Sequence, residues 1–150
     1  MHPLLGGLTT AATQFERGDT LLRRGSGPWR NDPHPMSKTK VALLGAGFIA
    51  DIHIESYHRF VPDAEVVAVY TRNPERAAAF ARKHHVPAAY SDLDRAIRES
   101  GCEVVDICLP NYLHRQAVLS AAAAGKHVII EKPLAMNLAE ADEMIAACAV

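Results

Sequence analysis

Five short apolar runs alternate with helical patterns between Lys40 and the end of the 150-residue chain, and this alternation constrains the fold more than any other feature. Most of the runs contain Val or Ile and stop at a glycine, a proline or a charged residue. Such runs predict strands buried on both faces, and connections this short favour parallel strands joined by helices. We expect an α/β fold, a Rossmann-type doubly wound parallel sheet with helices on both faces, and strands at 41–44, 65–70, 88–90, 104–109 and 127–130.

The segments between the strands carry the signals that start and stop helices. Helices are expected at 48–60, at 75–84 after an Asn73 cap, from a Ser91 cap to Gly101, from an Asn111 cap to Gly125, and from Asn137 onward. The last pattern reaches Val150 without a stop signal. It therefore predicts a chain that is truncated at its C-terminal end.

Residues 1–37 differ from the rest because they are rich in glycine and proline and follow no period, which predicts a disordered extension before a domain at 38–150. The composition, 49% hydrophobic and 22% charged, is typical of a globular protein. A net charge of −1 with scattered basic residues argues against nucleic acid, and no apolar stretch approaches the ~20 residues of a membrane span. We expect a cytoplasmic protein without a metal site, in which Cys108 and Cys148 are buried reduced thiols.

The first strand runs into Gly45-Ala46-Gly47-Phe48-Ile49-Ala50, which opens the first helix. A glycine pattern alone also occurs in ordinary tight turns, but its place between a strand and a helix favours a dinucleotide site. Gly45 would permit the turn, and Gly47 would let the backbone approach a pyrophosphate at the helix N-terminus. Gly45, Gly47, Phe48 and Ile49 are therefore candidate cofactor contacts.

The end of the second strand indicates which dinucleotide binds. An NAD site usually has Asp or Glu there to accept hydrogen bonds from the ribose hydroxyls, whereas this chain has Thr71 and Arg72. A guanidinium can pair with a 2′-phosphate, which favours NADP over NAD, although many loop arginines are only solvated.

Polar residues follow strands four and five at the same predicted edge of the sheet. Pro110, Asn111 and His114 follow strand four, where His114 is either a cofactor contact or a surface residue in the first turn of a helix. Glu131 and Lys132 follow strand five, and a charged pair directly after an apolar run favours function over packing. A desolvated lysine can hydrogen-bond a ribose or substrate hydroxyl and help to move a proton.

Together these motifs resemble the N-terminal domain of the glucose–fructose oxidoreductase, inositol dehydrogenase and rhizopine-catabolism family (Gfo/Idh/MocA), from about Lys38 to the end of the chain. The most specific match is residues 124–133, Ala-Gly-Lys-His-Val-Ile-Ile-Glu-Lys-Pro. Residues 110–114 match the family's Pro-Asn-x-x-His, and residues 45–50 match its glycine loop.

The resemblance implies an oxidoreductase that transfers hydride between NAD(P) and a hydroxyl or carbonyl carbon of a sugar, cyclitol or related compound. It implies that Lys132 is catalytic and contacts the nicotinamide ribose and the substrate hydroxyl, with Asn111 and Glu131 beside the nicotinamide. The family's catalytic Asp and His, most substrate contacts and the oligomer interface lie in a C-terminal domain. This chain is therefore expected to be inactive alone, and its full-length relative to be a homo-oligomer.

Two other functions are compatible with the same domain. One is a glycosidase that keeps NAD bound and returns the hydride within a turnover, which Thr71 weakly disfavours because a retained NAD needs no NADP selectivity. The other is a non-catalytic nucleotide-binding module.

Overall fold

The computed structural model describes residues 37–149, so the predicted disordered extension lies outside the described residues except for Ser37. The strands are β1 (Thr39–Leu44), β2 (Ala64–Tyr70), β3 (Ala88–Tyr90), β4 (Val104–Ile107) and β5 (His127–Ile130). The helices are α1 (Phe48–Phe60), α2 (Pro74–His84), α3 (Leu93–Glu99), α4 (His114–Ala123) and α5 (Leu138–Cys148), with a 3₁₀ turn at Asn111–Leu113.

The five strands form one parallel sheet in the order β3-β2-β1-β4-β5. The chain starts in the centre, builds β2 and β3 on one side, and then crosses to build β4 and β5 on the other. This is the strand order of a Rossmann fold, which confirms the predicted fold class. The direction reverses between β1 and β4, and ligands of such sheets bind beyond the carboxyl ends of the strands at that point.

Alternate residues of β1 pack on opposite faces of the sheet, as the pleat of a strand requires. Val41 and Leu43 pack with buried residues of α1 and α2, whereas Ala42 and Leu44 pack with buried residues of α3, α4 and α5. All four β1 side chains are at most 2% exposed. The central strand is therefore covered on both faces, which explains why its sequence is continuously apolar.

Three helices begin at polar caps. Asn73 Oδ1 accepts a hydrogen bond from the Arg76 N–H at 2.9 Å, and Asn137 Oδ1 accepts one from the Glu140 N–H at 3.0 Å, as predicted. The cap of α3 is Asp92 and not the predicted Ser91, because the Asp92 carboxylate accepts a hydrogen bond from the Arg95 N–H. A carboxylate at this end also interacts favourably with the helix dipole.

The connection from β4 to α4 differs from the prediction. Strand β4 ends at Ile107, and the Asn111 side chain makes no capping hydrogen bond. Instead, the backbone carbonyl of Asn111 accepts from the His114 N–H and closes the 3₁₀ turn. The helix therefore starts at His114, two residues later than it would with Asn111 as its cap.

Helix α5 extends to Cys148, and the Ala149 N–H after it donates to the Ala146 carbonyl. Met144 is the buried residue of this helix, while Cys148 is exposed, so the prediction that Cys148 is buried was wrong. Cys108 is half-buried, and Cys102, which carried no specific prediction, is buried.

Among the described helices, none is both long and apolar enough to cross a lipid bilayer. The longest of them is α1, which has 13 residues, whereas a membrane span needs about 20.

Replacement of Ile54 by alanine tests the packing of α1 on the sheet. Ile54 is a residue of α1 that packs on the sheet and is 0% exposed, whereas Ile52 on the same helix is 46% exposed. Removing the buried atoms leaves a cavity, so we expect Ile54→Ala to lower the free energy of unfolding by about 2–5 kcal/mol. Chemical denaturation measures the change, and Ile52→Ala is the matched control, with an expected loss below about 1 kcal/mol. Equal losses in the two variants would contradict this packing.

Candidate functional site

The turn between β1 and α1 requires glycine at position 45. Gly45 has a φ of +132°, a backbone conformation that other residues rarely adopt. A Cβ built there would lie 2.6 Å from the Cys108 carbonyl oxygen, which is too close for any side chain. The Gly45 N–H donates to the Tyr70 carbonyl at 2.8 Å, so the turn is held directly at the sheet edge.

Gly47 is the N-cap of α1, and no side chain caps this helix end. The first N–H groups of α1 therefore lack a side-chain acceptor and form the positive end of a helix dipole. A Cβ at Gly47 would meet only the Arg76 guanidinium, at 3.8 Å, so the space before the helix is open. An open helix N-terminus with free N–H groups fits a pyrophosphate.

A cavity of about 370 Å³ lies in front of this turn, at the carboxyl ends of β1, β2 and β4. Most of the predicted cofactor contacts line it. They are Gly45, Gly47, Phe48, Ile49, Thr71, Arg72 and Pro110. Asn111, His114, Glu131 and Lys132 are not among the residues that line it.

The end of the cavity beside β2 is basic. The Arg72 guanidinium donates to the Tyr112 hydroxyl at 3.4 Å, and Arg76 Nε donates to the Ala46 carbonyl at 3.0 Å. No Asp or Glu is among the lining residues. The sequence analysis did not identify Arg76 as a residue of this cavity. It could have been found from its position in the first turn of α2, because side chains there point back towards the preceding loop.

A second cavity of similar size lies at the opposite edge of the sheet. It is lined by residues that include Lys38, Glu65 and His85, near the starts of β1 and β2. Ligands of open α/β sheets bind at the carboxyl ends of the strands, so this cavity does not fit the expected site.

A comparison with known proteins identifies the family. The sequence model of Gfo/Idh/MocA, described as an oxidoreductase family with an NAD-binding Rossmann fold, matches residues 39–150. The chain belongs to the Gfo/Idh/MocA family. It contains the NAD-binding Rossmann domain of that oxidoreductase family, which the resemblance predicted.

Two relatives that the chain matches are dehydrogenases. The chain is 39% identical to scyllo-inositol 2-dehydrogenase (NADP(+)) of Bacillus subtilis over 72% of its own length and 33% of the relative's. It is 39% identical to trans-1,2-dihydrobenzene-1,2-diol dehydrogenase of Sus scrofa over 69% of its length and 31% of the relative's. The chain thus spans about a third of the length of these relatives.

A solved structure of the family has the same fold. The WlbA dehydrogenase of Bordetella pertussis, in complex with NADH and UDP-GlcNAcA, superposes with a TM-score of 0.70 at 28% identity. The superposition covers 74% of this chain and 34% of WlbA. The described domain therefore corresponds to about a third of a dinucleotide-bound dehydrogenase.

The family's Glu-Lys-Pro motif follows β5 at the same edge of the sheet. The Lys132 N–H donates to Glu131 Oε2 at 3.1 Å, and the Lys132–Pro133 peptide is cis. The Lys132 side chain is exposed, so the prediction of a desolvated lysine was wrong for this domain. No other element of the described chain covers the end of β5 closely enough to bury it.

His53 links this motif to the interior. Its Nδ1 lies 2.9 Å from Asp106 Oδ2, and its Nε2 lies 3.1 Å from Glu131 Oε1. Burial lowers the pKa of His53, but hydrogen bonds and charges from the two carboxylates outweigh burial and raise it. The hydrogen bond from His53 in turn lowers the pKa of Glu131 against a smaller opposing effect of burial. The His53 ring, through its contact with Glu131 Oε1, holds Glu131 beside Lys132.

Asp106 is the buried centre of this cluster, with 1% exposure. It accepts hydrogen bonds from His53 and from the Tyr57 hydroxyl at 3.0 Å, and the Cys108 thiol points to it at 3.8 Å. Burial and then the Asp106 charge raise the pKa of both Tyr57 and Cys108, so both groups stay protonated as donors.

The spacing of residues in the sequence contains a signal for the cluster around Asp106. Asp106 and Cys108 are two apart in a strand and share a face, while His53 and Tyr57 are four apart on a helix and share a face. A charged residue inside an apolar strand also needs buried partners. Those partners come from α1, which packs on that face.

His114 has a place that the sequence did not predict. The ring is 0% exposed, so a surface position in the first turn of α4 is ruled out. Its Nε2 lies 2.8 Å from the Leu109 carbonyl, and its Nδ1 lies 3.1 Å from the Pro133 carbonyl. The ring thus ties the end of β4 to the Glu-Lys-Pro motif.

The ionisation of His53 tests the link to Glu131. An ¹H–¹³C NMR titration of the metal-free chain should give His53 a pKa above the ordinary value of about 6.5. Stabilisation by the His53 cation is then complete below about pH 6.5 and is lost as the pH rises through the raised pKa. Glu131→Gln removes one anion and should lower this pKa, whereas Glu65→Gln, on β2, should not. A wild-type pKa at or below 6.5 would contradict the hydrogen bonds of His53 to Asp106 and Glu131.

Proposed function

We propose that this domain binds NADP(H) in the glycine-loop cavity and serves an enzyme that transfers hydride to or from a cyclitol, sugar or related diol. The observation that carries the cofactor choice is the β2 end of the cavity, where Thr71, Arg72 and Arg76 replace the acidic residue of a typical NAD site. Two guanidinium groups beside a hydroxyl suit a 2′-phosphate. The inositol dehydrogenase of Bacillus subtilis, whose name specifies NADP(+), supports the same choice.

In this proposal, different residues of the chain bind different parts of the cofactor. The free N–H groups after Gly47 hold the pyrophosphate, with Phe48 and Ile49 in the same turn, and Thr71 with Arg72 holds the adenosine phosphate. Asn111 lies on the nicotinamide side, together with the motif after β5. His114 supports that side through its contacts with backbone carbonyls, since its ring is fully buried.

Lys132 is the residue proposed to act on the substrate. The bound nicotinamide supplies or accepts the hydride. Oxidation of an alcohol also requires that the hydroxyl lose a proton, and the lysine at the motif after β5, in its neutral amine form, can accept that proton and become an ammonium. Glu131, held by His53, keeps the backbone of Lys132 in place through the 3.1 Å hydrogen bond.

The whole enzyme needs more than this domain. The matched relatives are about three times as long as the matched region, and we place substrate choice, further catalytic groups and homo-oligomer contacts in a region corresponding to their other two thirds. On this proposal the domain alone binds cofactor without turnover. The three free cysteines support a cytoplasmic location, since disulfides are rare there. The relatives named above are dehydrogenases, so neither the glycosidase nor the non-catalytic alternative is favoured.

Calorimetric titration with NADPH and NADH tests the cofactor choice. We expect the wild-type chain to bind NADPH more tightly, because the arginines pair with the 2′-phosphate. Thr71→Asp combined with Arg72→Ala should weaken NADPH binding by about tenfold or more, since a charge-assisted contact is worth about 1.5–3 kcal/mol. The same variant should bind NADH at least as well as the wild type does, because Asp accepts from both ribose hydroxyls.

Arg82→Ala is the matched control, since Arg82 is an exposed arginine in the last turn of α2. It should leave both affinities unchanged. A wild-type chain that binds NADH more tightly than NADPH would overturn the assignment of Thr71 and Arg72.

A further inference from the structure

His53, Asp106 and Cys108 form a cluster of three potential metal ligands between α1 and β4. One donor atom from each residue lies within 4.8 Å of the others. His53 Nδ1 is 2.9 Å from Asp106 Oδ2, Cys108 Sγ is 3.4 Å from His53 Nδ1, and Cys108 Sγ is 3.8 Å from Asp106 Oδ1. An imidazole, a carboxylate and a thiol at such distances are potential metal ligands. Cys108 also lines the cofactor cavity, so the cluster borders that cavity.

We propose that these three side chains form a binding site for a divalent cation of the Zn²⁺ type. Ligand atoms around a tetrahedral Zn²⁺ lie about 3.3 to 3.8 Å apart, because Zn–N, Zn–O and Zn–S bonds are about 2.0–2.3 Å long. His53 Nδ1 and Cys108 Sγ, 3.4 Å apart, already have such a separation. Asp106 places Oδ2 2.9 Å from the imidazole nitrogen and Oδ1 3.8 Å from the sulfur, so a rotation of its carboxylate would bring one oxygen to an ion held by the other two ligands. Mixed nitrogen, oxygen and sulfur donors favour zinc over magnesium or calcium, which prefer oxygen alone.

The surrounding contacts are those that orient ligands in zinc sites. A ligating histidine usually donates its second ring N–H to a carboxylate, and His53 Nε2 lies 3.1 Å from Glu131 Oε1. A ligating carboxylate is usually hydrogen-bonded as well, and the Tyr57 hydroxyl donates to Asp106 at 3.0 Å. Both outer contacts already exist in the structure, so the cation would enter a preorganised set of ligands.

The exchange of protons for the cation also balances in charge. Without metal, His53 faces a carboxylate at each ring nitrogen and so carries both protons, while Cys108 is a thiol. Zn²⁺ displaces the Nδ1 proton and the thiol proton, both of which leave to solvent, and no oxidation or reduction occurs. Two positive charges leave and two enter, so burial of the ion adds no net charge beside Asp106.

The site is open on one side. The His53 side chain is 23% exposed, and a cavity between α1 and β5 reaches both His53 and Asp106. Ile52, Val61 and Ile129 supply its apolar wall. Three protein ligands with an accessible fourth position is the arrangement of zinc sites that also bind water or an exogenous ligand. This inference does not depend on the proposed hydride transfer.

Titration of the metal-free, reduced full chain with Co²⁺ tests the proposal, because Co²⁺ reports zinc sites by absorption. We expect one equivalent to produce visible bands of four-coordinate Co²⁺ and a near-ultraviolet band from thiolate-to-cobalt charge transfer, and Zn²⁺ to displace it. Cys108→Ser should abolish the near-ultraviolet band, whereas Cys148→Ser, at an exposed cysteine, should retain it. Glu131→Gln should weaken Co²⁺ binding by about 10- to 100-fold, as loss of an outer-shell partner does.

X-ray absorption of the Zn²⁺-loaded wild-type chain gives a readout that needs no variant to fold. One sulfur together with nitrogen or oxygen neighbours at the zinc is the expected result. Zinc surrounded by nitrogen and oxygen alone, or the absence of a thiolate band with Co²⁺, would overturn the site. So would a thiolate band that is lost in Cys148→Ser and kept in Cys108→Ser.

Discussion

The ligand-facing edge of this domain depends on the close approach of the turn after β1 to the end of β4. The Gly45 N–H binds the Tyr70 carbonyl of β2, and the Cys108 N–H binds the Leu44 carbonyl of β1, each at 2.8 Å. A side chain at position 45 would collide with the Cys108 carbonyl, so the turn fits only because that residue is glycine. Since the turn is tight, α1 starts directly at the sheet edge and aims its free N–H groups into the crevice at the β1/β4 switch point.

The buried carboxylate of Asp106 connects this turn to the other half of the site. Through His53 it joins α1, which begins at the glycine turn, to Glu131 at the end of β5. A buried charge is costly unless it is paired and hydrogen-bonded, and the donors on Asp106 meet that requirement. The same contacts hold the backbone before Lys132, so structural stability and the placement of the candidate catalytic lysine rest on one cluster. The cluster links the glycine turn to the motif after β5, both when hydrogen bonds connect its side chains and when the proposed divalent cation does.

Local signals in the sequence were sufficient for the strands, the topology and the glycine-loop half of the site. The sequence placed Gly45, Gly47 and Thr71 at one cavity because each lies just after a strand end, and parallel strands bring such ends to one edge. The contact between His53 and Glu131 spans 78 residues and depends on the packing of α1 near β5, which no local pattern encodes. His114 was misjudged because the 3₁₀ turn rotates the start of α4 and turns its first residue inward. The cofactor roles of all the predicted site residues, from the glycine loop to Lys132, stay predictions.

The central claim is that a dinucleotide occupies the cavity at the carboxyl edge of the sheet, and NMR mapping with NADPH tests it most directly. In a ¹⁵N-labelled chain, addition of NADPH should shift the amide signals of Gly45, Gly47, Thr71 and Arg76, which surround that cavity. The amides of Lys38, Glu65 and His85, at the opposite edge, should stay unchanged. Shifts confined to those three residues, or no shift with NADPH in large excess over the chain, would contradict the account.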